Sequence, residues 1–169
     1  MTSITPTPEF TVNLQRPAEC DLERLAIFQA LVLEGGEVNP ATLPQMIGRA
    51  PVLAFLQSDQ LVVGVGGIKR PYDSHRSKVF AQSKANSDPA IFEFELGWIY
   101  LRPVARSRHQ VSPLIRALMV ELKAAPVYAT SRVNNDRMHT ALKNCGFTPD
   151  GNPYPSKLNE PFIQLFVRK

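Results

Sequence analysis

The sequence has only two cysteines, Cys20 and Cys145, and they stand far apart without metal-ligand spacing. A disulfide frame or a zinc site therefore has little support, and both thiols are expected to be reduced, in core or helix positions. The three histidines, His75, His109 and His139, are equally scattered, which argues against a histidine metal site. No window approaches the roughly 18 apolar residues of a membrane span. Residues 1–15 also lack the basic start and apolar run of a secretory leader, so the expected protein is cytoplasmic and has no membrane partner. Neither Ser107 nor Ser131 has the context of a nucleophile elbow, which excludes a serine hydrolase of that type. Internal repeats and low-complexity segments are absent as well.

What remains is a chain of 169 residues, 44% hydrophobic and 20% charged, which fits one globular domain spanning residues 1–169. A formal charge of +4 favours anionic partners: nucleic acid, an acidic peptide or the phosphates of a nucleotide cofactor. The basic residues gather in two places, at Lys69, Arg70, Arg76, Lys78 and Lys84, and at Arg102, Arg106 and Arg108. No aromatic pattern or nucleic-acid motif accompanies them, so nucleic acid is not the expected partner.

Period-two alternation marks a first strand over 10–14, and helical spacing of Leu22, Leu25, Ala26, Gln29, Val32 and Leu33 predicts a helix over 18–34, stopped by Gly35-Gly36. A shorter helix contains Leu43, Met46 and Ile47. Residues 52–56 and 61–68 read as a hairpin whose second arm, LVVGVGGIK, carries three glycines, which a strand tolerates where a bulge or another backbone comes close. The polar stretch 70–90 predicts a loop with a short helix near 77–85. A strand over 92–101, an amphipathic helix over 111–122, a short strand over 127–130, a helix over 135–145 and a last hairpin across a proline-rich loop complete the order. That order predicts an α/β fold with a mixed, mostly antiparallel central sheet flanked by helices.

Two segments then carry a family resemblance. FELGWIYLRPVARSRHQVSPLIRALM is similar to the central strand, loop and helix of the GCN5-related N-acetyltransferases, and ATSRVNNDRMHTALKNCGF resembles their second motif, a strand and a helix ending in Gly-Phe. The resemblance implies an acetyl-coenzyme A-binding fold in which the amides of a helix N-terminus hold pyrophosphate. It assigns that loop to Arg106, Ser107, Arg108, His109, Gln110, Val111 and Ser112. The family's loop reads Gln/Arg-x-x-Gly-x-Gly/Ala; here His109 and Val111 fill both glycine positions, and Pro113 removes a further amide. Glycine at 109 and 111 is expected to tighten cofactor binding, at a small helix-stability cost of about 0.5–1 kcal/mol.

By the same resemblance, the backbone of Ile99, Tyr100 and Leu101 faces the pantetheine amides and Asn135 reaches the pantetheine region, although Asn135 equally suits a helix cap. Transfer to an amine requires a general base, for which Glu95 is the candidate ahead of Glu93. The family's general-acid tyrosine is replaced by Leu142, which leaves Tyr154, with Tyr128 as an alternative, or departure of the thiolate unaided. The expected activity is direct acetyl transfer to a primary amine of a small molecule or peptide. Residues 70–90 and 150–160 would flank the acceptor, and a homodimer is possible. The alternative is a non-catalytic acyl-CoA sensor or interaction module, which the missing glycines and tyrosine favour.

Overall fold

The computed structural model describes residues 5–107, 109–156 and 162–169. Its strands are β1 (Phe10–Gln15), β2 (Val52–Ser58), β3 (Leu61–Lys69), β4 (Phe94–Leu101), β5 (Val127–Arg132), β6 (Thr148–Tyr154) and β7 (Ile163–Arg168). They form one sheet in the order β1-β2-β3-β4-β5-β7-β6, antiparallel at every step except between β4 and β5, which run parallel. The mixed, mostly antiparallel sheet predicted from the sequence is therefore the one observed.

Both faces of the middle strands are covered, which is why β2 and β3 read as nearly continuous apolar runs. Along β2, Leu53 and Phe55 point to one face, where they meet Phe28, Leu31 and Val32 of α1 (Leu22–Gly35) and Leu43 and Ile47 of α2 (Leu43–Arg49). Val52, Ala54 and Leu56 point to the other, where α5 (Val111–Leu122) contributes Leu114, Ile115, Leu118 and Met119, and α6 (Asp136–Asn144) contributes Ala141 and Leu142. Local chemistry sets the ends of α1. The Asp21 carboxylate accepts a hydrogen bond from the Arg24 amide at 2.7 Å, and Gly36 takes the left-handed conformation that closes the helix, with φ of 75°.

The basic stretch after β3 differs from its prediction. It forms a full helix, α3 (Asp73–Ser83), on the same face as α1. Periodicity could not show this, because only Val79, Phe80 and Ser83 of the helix are buried. Its position is set by tertiary contacts: Phe80 packs 5.2 Å from Phe92 and 5.3 Å from Tyr128, ring centre to ring centre, over a cluster that includes Tyr154, Leu165 and Val167. The turn beyond it is tied down by buried Asp150 of β6, which accepts from the amides of Asn86 at 2.8 Å and Ser87 at 3.1 Å. A one-turn helix, α4 (Pro103–Arg106), follows β4 and was not expected either. Among the described residues, no helix is long and apolar enough to cross a membrane.

Candidate active site

Between β4 and β5 the sheet comes apart. The two strands pair only at Phe94 with Val127 and at Glu95 with Tyr128. Beyond those pairs, the edge of β4 that faces β5 has no ladder partner among the described residues. The divergence coincides with a bulge: Val65 stands opposite Tyr100 and Gly67 opposite Gly97, which leaves one extra residue on β4. Trp98 absorbs it with φ of 56°, a left-handed conformation that costs a side-chain-bearing residue about 1–3 kcal/mol. Burial helps to offset the cost, since Trp98 is 8% exposed and packs 5.8 Å from Phe28. The glycines of β3 make the bulge possible. A Cβ on Gly66 would fall 2.7 Å from Ile99 Cδ1, and one on Gly67 would fall 2.8 Å from Trp98 Cε3.

The opening is a cleft of about 460 Å³. Its floor is β4 from Glu95 to Tyr100, one wall is the end of α1 with Glu37 and Val38, and the other is β5 from Ala129 to Arg132. Arg132 ties the walls together: its Nη2 lies 3.1 Å from one Glu37 carboxylate oxygen and its Nε donates to the other at 3.3 Å. Arg106 and Asn135 also line the cleft.

Glu95 sits where the strands part, 5% exposed. Its carboxylate meets the Lys69 ammonium at 3.5 Å and His75 Nε2 at 3.7 Å, and accepts a hydrogen bond from the Tyr128 hydroxyl at 3.2 Å. Lys69 and Glu95 are direct cross-strand neighbours in the antiparallel β3–β4 pair. Burial first, then the charge and hydrogen bond of Glu95, push the Tyr128 phenol far above its ordinary value. Burial and the Glu95 charge likewise push Tyr154 up to about 12. Both phenols are therefore protonated at neutral pH and lie behind the carboxylate. Neither Tyr128 nor Tyr154 lines the cleft; Tyr154 is packed beneath α3, and Tyr100 is the one tyrosine among the lining residues. The Tyr100 phenol is raised by a hydrogen bond with Glu34 and by burial. Glu93, by contrast, faces outward in an ion pair with Arg70.

At the expected phosphate loop, the Arg106 Nε donates to the Leu101 carbonyl at 2.8 Å, and its guanidinium lies 5.5 Å from the Tyr100 ring centre. Arg108 lies outside the described residues. Gln110 precedes α5 without a capping hydrogen bond from its side chain, so no such cap covers the amides of Val111 and Ser112. Ser112 is half-buried, and its carbonyl accepts from the Cys145 thiol at 3.6 Å. The cleft reaches Arg106 but not residues 109–112. His109 stands before the helix with φ of 54°, the conformation a glycine adopts freely. The expectation that glycine there would carry a helix-interior cost is thus corrected, because position 109 is not helical. Asn135 is the helix cap that was expected, its side chain accepting from the Met138 amide at 3.2 Å at the start of α6, and it also lines the cleft.

Sequence reasoning missed Lys69, His75 and the Arg132–Glu37 pair. Lys69 was in principle legible as the partner of Glu95 in a β3–β4 pairing, but the bulge shifts the register and hides it. Residues 157–160 of the segment expected to flank an acceptor lie outside the described residues. Among the described residues, no group of histidine, cysteine and carboxylate side chains could hold a metal ion.

A mostly antiparallel sheet that opens between two central parallel strands, with helices on both faces, is the fold of the GCN5-related N-acetyltransferases, and this chain has it. No protein-family model and no curated protein matches the sequence. Solved structures do match. An N-acyl amino acid synthase from uncultured soil microbes, FeeM, superposes with a TM-score of 0.69 at 11% identity, over 96% of this chain and 91% of its own. The ribosomal-protein-S18-alanine N-acetyltransferase of Escherichia coli gives 0.64 at 12% identity, over 94% and 93%. An acyl-CoA N-acyltransferase from Pseudomonas aeruginosa gives 0.63 at 13% identity, over 96% and 100%.

Proposed function

We propose that this chain is an acetyl-CoA-dependent N-acetyltransferase that moves the acetyl group directly to a primary amine of a small molecule or peptide, with Glu95 as general base. The observation that carries the reading is a buried carboxylate at the apex of a cleft whose floor is unpaired strand edge. The cleft suits an extended, amide-bearing arm: the edge of β4 at Ile99 and Tyr100 offers backbone hydrogen bonds, Arg106 supplies positive charge and Asn135 a polar side chain, whereas Leu101 lies outside the cleft lining and its carbonyl already accepts from Arg106. The amides of Val111 and Ser112, with His109, Gln110 and the Arg108 side chain, are assigned to pyrophosphate.

Glu95 removes a proton from the incoming ammonium, and the neutral amine attacks the thioester carbonyl. Tyr128 reaches the reaction only through the hydrogen bond it donates to Glu95, Tyr154 only feels the charge of that carboxylate, and neither lines the cleft. The leaving thiolate accordingly takes its proton from the attacking amine or from water. FeeM is described as making N-acyl amino acids and the E. coli protein as acting on a protein alanine, both amine acceptors, and acceptors of both kinds belong in the assay.

The deciding experiment is a thermal-shift series with coenzyme A, acetyl-CoA and longer acyl-CoAs, followed by thiol release against a panel of amines. A ligand that binds the native state must raise its melting temperature. No shift at millimolar acetyl-CoA would refute the reading. The second reading, a non-catalytic acyl-CoA sensor, draws on the side chain that occupies the strained position at His109 and on the Lys69 ion pair that already engages Glu95. A shift without turnover would select it.

A further inference from the structure

The amine nearest the base belongs to the protein. Lys69 lines the cleft, and its Nζ stands 3.5 Å from Glu95 Oε1 and 5.3 Å from the centre of the Trp98 ring on the cleft floor. Its side chain is 20% exposed, so it is neither sealed in the core nor swept freely through solvent. The separation is longer than the roughly 2.7–2.9 Å of a tight charge-assisted hydrogen bond. The stem crosses β4 over the Cα of Gly97, where a Cβ would meet Lys69 Cε and Nζ. Glycine at 97 thus clears the path that brings the ammonium to the carboxylate. His75, the third polar group on Glu95, is 55% exposed and connects the carboxylate to solvent.

The geometry points to Lys69 as a self-acylation site: the chain transfers an acyl group from a bound acyl thioester to its own Lys69. This rests on the proposed function, since it uses the same cleft and base. Glu95 takes one proton from the Lys69 ammonium, and the freed amine attacks the thioester carbonyl. The N–C bond forms, the C–S bond breaks, and the second amine proton goes to the departing thiolate. The products are an amide on Lys69, a free thiol and a proton that leaves Glu95 through His75 to water. Acylation also removes the cation that occupies Oε1, leaving that oxygen to an external amine.

The test uses the full chain. Purified protein is incubated with acetyl-CoA, and peptide mass mapping follows acetyl incorporation at Lys69 against the exposed Lys123 and Lys143. The expected result is labelling at Lys69 about tenfold or more faster than at either control, with a rate independent of protein concentration, as an intramolecular reaction requires. Glu95→Gln should reduce it to the control rate, and Lys69→Arg, which keeps the cation, should fold and take no label. A second readout needs no turnover: coenzyme A should shield Lys69, and not the two controls, from a small amine-reactive reagent. Labelling of Lys69 no faster than the controls, a rate that scales with protein concentration, or equal labelling in Glu95→Gln would overturn the proposal and leave a cross-strand ion pair alone. Shielding by coenzyme A without acyl transfer refutes self-acylation while the cleft assignment stands. No shielding together with no thermal shift removes both.

Discussion

Replacing His109 by glycine should raise the melting temperature, whereas the same replacement at Val111 should lower it. At 109 the backbone has φ of 54° and the residue is exposed, so the substitution removes conformational strain and little packing. A left-handed residue with a Cβ costs roughly 1–2 kcal/mol, with histidine at the low end because it tolerates this region better than most. Glycine returns about 0.5–1 kcal/mol of that through its freer unfolded chain. The net gain is then about 0.5–1 kcal/mol, which for a chain of this size is about 1–4 °C. Val111 is the first residue of α5 and packs, half-buried, on the main apolar cluster. Glycine there loses helix propensity and buried methyl groups together, about 1–2 kcal/mol. Thermal denaturation of the two single variants and the double variant, without ligand, measures both signs. A fall for His109→Gly equal to that for Val111→Gly would show that His109 is held by contacts that outweigh its backbone strain. Calorimetric titration with acetyl-CoA on the same proteins then asks whether a closer backbone tightens phosphate binding; weaker binding in all three variants would mean that the loop is adapted to its ligand as it stands.

Glu95→Gln should lower turnover by about a hundredfold or more with cofactor affinity nearly unchanged, read from initial rates and from titration. Gly67→Ala should destabilise the fold by about 1–3 kcal/mol in urea, because the new Cβ meets the buried Trp98 ring, which has no room to withdraw. Asp150→Asn should cost about 1–3 kcal/mol at neutral pH through the loss of charge-assisted bonds from the turn at Asn86 and Ser87. Burial alone would raise the Asp150 carboxyl, but those bonds outweigh it and hold it below its ordinary range. Its stabilisation is therefore complete above the unfolded value near ~3.9 and lost as pH falls through the lower folded value, so wild type and variant should converge in acid.

How much of this was legible depended on which scale of interaction decides each feature. Local rules placed α1, α5, α6 and the strands, since capping, helical period and apolar alternation act within a few residues. The α3 helix was only partly legible, because two apolar residues, Val79 and Phe80, do the packing, and the ring partners of Phe80 come from elsewhere in the chain, Phe92 from the segment before β4 and Tyr128 from β5. Glu95 and Asn135 were found through the motif resemblance and fall in the cleft. Tyr154 was proposed from its residue type alone and lies beneath α3 behind the carboxylate, a placement no local pattern could supply. His75 was hidden for the same reason, since it approaches Glu95 from another element, and Lys69 was hidden by the register shift of the β3–β4 bulge.

The glycines of β3 link these scales. Read locally, Gly64, Gly66 and Gly67 weaken a strand, and their presence in a buried position asks for a compensating feature. That feature is the β4 bulge, where Trp98 and Ile99 lie over the space that side chains at 66 and 67 would fill. A bulge adds twist and bends its strand, and here β4 parts from β5 immediately after Glu95 and Tyr128. The parting exposes the backbone that floors the cleft and leaves the Glu95 carboxylate at its apex. The three small residues are thus the local sign of a decision made across three strands, and the chemistry assigned to Glu95 depends on them although none of them touches it.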